Sequence, residues 1–149
     1  MSQLQVAAEQ TARATPEAIW ALVSDANRYP QWGPWSAGGY RRPGDTSPRG
    51  PGAVQWLRSS RRAYLRHVTS IEKILEAEEG RRLAYTVIGG IPVRNYLAEV
   101  TLTPTGEGTR VRWAATWDDT VAGRIVWRSL HKLYPEIVAS LITAAEKQP

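Results

Sequence analysis

From Ala37 to Asp118 the chain runs as short segments in which apolar and polar residues alternate, each closed by turn residues, and only then does one long helical pattern begin. Few folds accept that order. An antiparallel meander presents an apolar face, and a single helix must cover it. Strands are expected near 38 to 42, 53 to 59, 66 to 77, 82 to 88, 94 to 103 and 110 to 118. Between them lie the Pro/Gly-rich stretch 43 to 52, a basic link from Ser59 to Tyr64, Glu78-Glu79-Gly80, Gly89-Gly90-Ile91-Pro92 and Thr105-Gly106-Glu107-Gly108. Ahead of the meander, Leu4 to Ala14 alternates weakly as a further strand. Thr15-Pro16-Glu17 then opens a short helix, with a hydroxyl cap, proline at the first helical position and an acid where the helix dipole favours it. Asn27-Arg28-Tyr29-Pro30 ends that helix.

The last helix is expected from a cap at Asp119 or Thr120 to about Lys147. At about 100° per residue, Val126, Trp127, Leu130, Leu133, Tyr134, Ile137, Val138, Leu141 and Ala144 share one arc of roughly 140°. Pro135 falls inside it, removes one backbone hydrogen bond and is expected to bend the axis. A bent helix on a curved sheet leaves space beneath it. The expected class is therefore α+β: a curved antiparallel sheet wrapped around a long C-terminal helix, with a small-molecule cavity between them. The 149 residues suit one such domain, spanning 1–149.

Strand alternation selects the inward faces. Val111, Trp113, Ala115 and Trp117 share one face of the last strand, Tyr96, Ala98, Val100 and Leu102 one face of the strand before it, and Leu83, Tyr85 and Val87 the matching face before that. In the strand near 66 to 77, the face with Val68 and Ile74 also carries Ser70 and Glu72. Ile71 and Leu75 compete for that side, and the alternative register puts Glu72 in solvent. An inward Glu72 would have its pKa raised by burial, or would need a partner such as a tyrosine hydroxyl.

Successive turns of a meander alternate ends. The turns at 59 to 64, 89 to 93 and 118 to 120 therefore share one end with the 32 to 37 segment, and this is the expected mouth, flanked by Trp35 and Trp127. The expected ligand-binding residues are Trp35, Glu72, Ile74, Tyr85, Val87, Tyr96, Ala98, Trp113, Ala115, Trp117, Trp127, Leu130 and Tyr134, with Glu72 and Tyr96 as catalytic candidates. Plain core packing is the competing reading for each aromatic taken singly. Their clustering with small Ala98 and Ala115 favours a lined cavity. His131 is expected at the surface.

Composition narrows the function. Without cysteine, and with His67 and His131 far apart, no metal site is expected, and no cofactor. No segment approaches the roughly 18 apolar residues of a membrane span, and no leader precedes the first strand, so a cytoplasmic protein is expected. The net charge of +5 arises from sixteen arginines and three lysines scattered among fourteen acids. Only Arg41-Arg42, Arg58, Arg61-Arg62 and Arg66 gather locally, which fits solvated loop charge better than a nucleic-acid footprint. Seven tryptophans and six tyrosines beside no phenylalanine suit an apolar wall that also donates hydrogen bonds. An outward-facing Trp20 or Trp56 would mark a homodimer surface.

Several stretches resemble the SRPBCC superfamily, the START and birch-pollen-allergen-like proteins, and within it the bacterial polyketide cyclase/dehydrase-like branch. They are Ala14-Thr15-Pro16-Glu17-Ala18-Ile19-Trp20, Asp25 through Trp32, Ile74 through Tyr85 with Arg81-Arg82-Leu83, Tyr96 through Pro104, and Gly108-Thr109-Arg110-Val111-Arg112-Trp113. The resemblance implies the helix-grip fold and a cavity for lipids, polyketides or other aromatic metabolites. Ile88-Gly89-Gly90 followed by Asn95-Tyr96 is similar to a mouth loop and pocket strand of the plant abscisic-acid receptors, which implies Tyr85, Val87, Tyr96 and Ala98 as pocket residues. The link from Ser59 to Arg66 is more basic than the family pattern, and no recognised cyclase acid/base set is present. Two functions fit: a binding or carrier protein for a small hydrophobic or aromatic metabolite, or an enzyme of secondary metabolism that cyclises, dehydrates or aromatises a polyketide.

Overall fold

The computed structural model describes residues 2–63 and 66–148, with 61–63 and 66 described through their backbone alone. The chain forms β1 (Gln3–Ala12), α1 (Pro16–Val23), a 3-10 turn (Ala26–Arg28), α2 (Tyr29–Trp32), β2 (Trp35–Arg42), β3 (Val54–Ala63), β4 (Arg66–Glu78), β5 (Arg82–Gly89), β6 (Leu97–Pro104), β7 (Thr109–Asp118) and α3 (Val121–Glu146). The seven strands make one antiparallel sheet in the order β1-β7-β6-β5-β4-β3-β2. The meander is therefore continuous, and β1 adds to its far side by pairing with β7. β1 and β2 remain as free edges, so the sheet is open.

Capping chemistry starts both α1 and α3. The Thr15 side chain accepts from the Ala18 amide at 3.1 Å, and Thr120 accepts from Gly123 at 2.8 Å. α3 lies along the concave face against β1 and β7, and α1 and α2 contact it from the side. Its stripe is buried unevenly. Tyr134, Ile137, Val138, Leu141, Ile142 and Ala145 are buried, whereas before Tyr134 only Gly123 is.

Curvature comes from irregular pairing. Register shifts occur between Tyr40 and Arg42, between Arg58 and Arg62, and at two places in β4, between Ile71 and Glu72 and between Ile74 and Glu76. Each shift breaks the ladder and increases the local twist. The last one answers the competition on β4: Glu72 is 6% exposed and Ile74 2%, while Leu75 is 41% exposed. The competing Leu75 is turned outward, and the inner face resumes at half-buried Ala77.

Two boundaries differ from the sequence expectation. β3 runs on to Ala63 instead of turning at Ser59, so the Ser59–Tyr64 link is mostly strand, and the side chains of Arg61, Arg62, Tyr64 and Arg66 lie outside the described residues. β6 begins at Leu97 instead of 94, because Asn95 adopts a left-handed conformation, φ 54°. That residue is clipped to the end of β7: its side-chain amide donates to Asp118 at 2.8 Å, and the Asp118 amide donates to the Arg94 carbonyl at 2.9 Å. The β5–β6 connection is thereby held at the end where β7 passes into α3.

At the same end Gly90 has φ +85°, and a Cβ there would stand 1.7 Å from the Thr69 carbonyl oxygen. Only glycine tolerates both constraints. We expect Gly90→Ala to lower stability by roughly 2 kcal/mol or more in thermal unfolding. Gly89→Ala, where the new methyl meets only the flexible Ile71 side chain at 3.2 Å, should cost clearly less. Equal losses at the two positions would contradict this account.

Candidate functional site

Four strands (β3, β4, β5 and β7), the segment that enters β6, and α3 converge on a set of polar groups enclosed by aromatic rings. Alternation puts Gln55 of β3 opposite Glu72 of β4. The Gln55 amide donates to one Glu72 carboxylate oxygen at 2.8 Å, and the Ser70 hydroxyl donates to the other at 3.2 Å. All three residues are buried. Among the described residues the carboxyl has neutral hydrogen-bond partners and no cation, so burial dominates and its pKa is pushed up to about 7, with the Gln55 and Ser70 bonds restraining the rise.

Facing this carboxyl is a chain of hydroxyls. The Trp113 indole donates to the Tyr85 hydroxyl at 3.1 Å. Tyr85 interacts in turn with Tyr134 of α3, and the Tyr134 and Tyr96 hydroxyls share a short hydrogen bond. Burial raises the pKa of Tyr85, Tyr96 and Tyr134, and the negative charge of Glu72 adds to the rise at each. These phenols therefore remain neutral hydrogen-bond donors near neutral pH. Around them Trp117 stacks on Tyr96 with ring centroids 5.5 Å apart and 25° between planes, and its indole donates to the Gly123 carbonyl at 3.0 Å. Sheet and helix are thus tied together beside the hydroxyl chain.

The expected site residues separate into groups. Glu72, Ile74, Tyr85, Tyr96, Ala98, Trp113, Ala115, Trp117 and Tyr134 are all buried on the inner face or on α3. Val87, Leu130 and Trp35 are half-buried against that core. Trp127 is half-buried against the core as well, on the β1 side of α3. Its indole donates to the Gln5 carbonyl of β1 at 2.9 Å and stacks on exposed His131 at 4.4 Å, so it fastens α3 to the edge strand. Trp20 and Trp56 are both half-buried, so neither offers a fully exposed indole.

Sequence reasoning left out Tyr29, Trp32 and Gln55. Tyr29 was absorbed in the helix-breaking Asn27–Pro30 stretch, yet it is buried. It donates to the Val23 carbonyl at 2.7 Å and lies 4.8 Å from Trp35 and 6.5 Å from Trp113. An unbroken line of rings thus runs from Trp35 into the interior. Gln55 had a readable signal, since it is the polar residue between Ala53 and Leu57 on an otherwise apolar strand face. Among the described residues no group of His, Cys, Asp and Glu could hold a metal ion, and no helix is long and apolar enough to cross a membrane.

An open antiparallel sheet gripping one long helix, with a carboxyl and several hydroxyls buried between them, defines a helix-grip protein. The chain belongs to the family described as polyketide cyclase / dehydrase and lipid transport, which matches residues 3–146. Solved structures share the fold. The di-domain ARO/CYC StfQ from the steffimycin biosynthetic pathway aligns with a TM-score of 0.78 at 12% identity, over 97% of this chain and 51% of that one. TTHA0849 from Thermus thermophilus aligns at 0.70 with 23% identity, over 97% and 95% of the two chains. Ara h 8.0201 aligns at 0.66 with 15% identity, over 95% and 99%. At these identities the likeness establishes the fold alone. Comparison with the curated proteins finds no match.

Proposed function

We propose that the chain binds a small, mostly apolar molecule bearing a ketone or phenol oxygen between the sheet and α3, as a binding or carrier protein. The observation that carries this reading is the buried Glu72 carboxyl set against the Tyr85–Tyr134–Tyr96 hydroxyls. Packing alone does not call for such a group: an apolar side chain would avoid the cost of burying a carboxyl that has no cation beside it among the described residues. Polar groups enclosed by aromatic walls orient one end of an otherwise greasy ligand. Family membership supports the same ligand class. Mass spectrometry of material extracted from the purified protein should find such a molecule. Added hydroxyanthraquinone, used as a probe, should quench tryptophan fluorescence less in Tyr96→Phe. Failure of both observations would remove the binding reading.

A second reading rests on one number. A carboxyl whose pKa lies near 7 is suited to accept a proton close to neutral pH. With a poly-β-keto substrate, the Glu72 carboxylate would take a proton from the carbon between two carbonyls. Tyr96 and Tyr134 would donate to the developing enolate oxygen. The enolate carbon would then attack a further carbonyl of the chain, whose oxygen takes the proton back from Glu72 to leave a ring hydroxyl, and loss of that hydroxyl with a hydrogen from the neighbouring carbon as water would complete dehydration. Glu72→Gln should slow product formation by about 100-fold and Tyr96→Phe by less, with changed product ratios. Unchanged rates and products in both variants would leave the carrier function alone.

A further inference from the structure

At the end of the molecule opposite the Gly90 loop, a cleft of about 970 Å³ opens between α1, β2 and the loop joining β2 to β3. Its volume lies at the upper end of the ~300–1,000 Å³ typical of small-molecule sites. It is not part of the Glu72 site, since none of the Glu72, Tyr85, Tyr96 and Tyr134 set lines it.

The walls are fixed on three sides. The Tyr40 hydroxyl accepts from the Ala26 amide at 3.0 Å and donates to the Ser24 carbonyl at 3.4 Å, which joins β2 to the end of α1. Arg49 of the loop pairs with Asp25 at 2.7 Å, and Asp25 also caps the 3-10 turn through the Asn27 amide. The loop is braced internally by backbone bonds from Gly44 to Pro48, Asp45 to Pro51, Gly50 to Ser47 and Ala53 to Gly50. At Gly52, with φ +92°, a Cβ would stand 2.6 Å from the Asp45 carboxyl, so the folded-back shape requires glycine there. A loop held this firmly over open space forms a wall.

The lining carries its own chemistry. In a regular strand Arg41 and Arg42 would point to opposite faces. The register shift between Tyr40 and Arg42 cancels that alternation and brings both arginines to the cleft beside Tyr40. Neither has an ion-pair or hydrogen-bond partner among the described residues. Arg49 is neutralised by Asp25, and Glu79 is the one lining acid without an ion-pair partner among them, so two free cations stand against one free anion. Trp20 supplies an indole whose N–H has no protein partner among the described residues, and Pro43, Pro48 and Leu83 add apolar surface. An indole and two guanidinium groups lining one cleft suit a flat ring with an acidic substituent.

We infer that this cleft is a second ligand site, in which Arg41 and Arg42 hold the carboxylate of an aromatic acid while its ring lies against Trp20 and the loop prolines.

Calorimetric titration at low salt with naphthoate as the probe tests the assignment, with uncharged naphthylmethanol as the comparison. Naphthoate should bind the wild-type protein, and Arg41→Ala/Arg42→Ala should bind it roughly tenfold more weakly. Both arginines are exposed, so this variant is expected to fold normally. Naphthylmethanol should bind at least about tenfold more weakly than naphthoate to the wild type. Glu72→Gln should leave naphthoate affinity unchanged. Absence of naphthoate binding, equal affinity in the arginine variant, equal affinity for the neutral compound, or loss of binding in Glu72→Gln would each overturn the proposal.

Discussion

Glu72→Gln is expected to make the folded protein more stable at about pH 8, by about 3 kcal/mol in urea unfolding, and to change stability little at about pH 4. The carboxyl titrates at its ordinary 4.5 when unfolded and near 7 in the fold. Between those values the folded state holds more protons than the unfolded state. Stability of the wild-type protein therefore falls as pH rises through this window and levels off above it. Glutamine has nothing to ionise and can keep both neighbours, accepting from Gln55 through its oxygen and donating to Ser70 through its nitrogen. A variant no more stable than wild type at the higher pH would mean that the buried charge has a partner the hydrogen bonds do not reveal. A gain in stability accompanied by loss of ligand binding or turnover would mark a group retained for function at the expense of the fold.

Trp117→Ala should cause the largest loss, about 4 kcal/mol, a large part of the ~5–15 kcal/mol that holds a domain of this kind together. The indole is 0% exposed, stacks on Tyr96 and donates to the Gly123 carbonyl in the first turn of α3. Truncation leaves a large cavity and removes the indole hydrogen bond that fixes the first turn of the helix to the sheet. Trp117→Phe refills most of the volume without restoring the donor, and about 2 kcal/mol should still be lost. Denaturation followed by circular dichroism distinguishes the two. An alanine variant within ~1 kcal/mol of wild type would mean that α3 does not depend on this contact for its position.

The architecture was legible because its signals are periodic. Alternation through β5, β6 and β7 assigns Tyr85, Tyr96 and Trp113 to one face, and the burial of these residues follows it. β4 was ambiguous for a physical reason: a strand containing two bulges does not keep a period of two, so Ile71 and Leu75 could pull the pattern out of phase. The cleft was not legible either, because Arg41 and Arg42 read as solvated loop charge, and the register shift that brings both to one lining leaves no periodic signal. Trp127 lay correctly within the helical stripe. Periodicity specifies which way a residue faces, however, and not which strand it meets, and the edge strand β1 took it. The hydroxyl chain joins residues 38 positions apart, and nothing local to either end announces it.

Pro135 gives α3 two unequal halves. The proline has no N–H to return to the His131 carbonyl. Beyond it the helix is anchored by Ile137, Val138, Leu141 and Ile142, whereas in the preceding turns most side chains are half-buried or exposed. Those first turns are held instead by particular contacts, the Trp117 indole on the Gly123 carbonyl and the Trp127 indole on the Gln5 carbonyl, with Val126, Leu130 and Leu133 packed partly buried against the core. The missing rung thus falls between a half of α3 held by a continuous buried apolar face and a half whose place on the sheet is set by two indole N–H groups, so the seating of the first half depends on single side chains in a way that the second half does not.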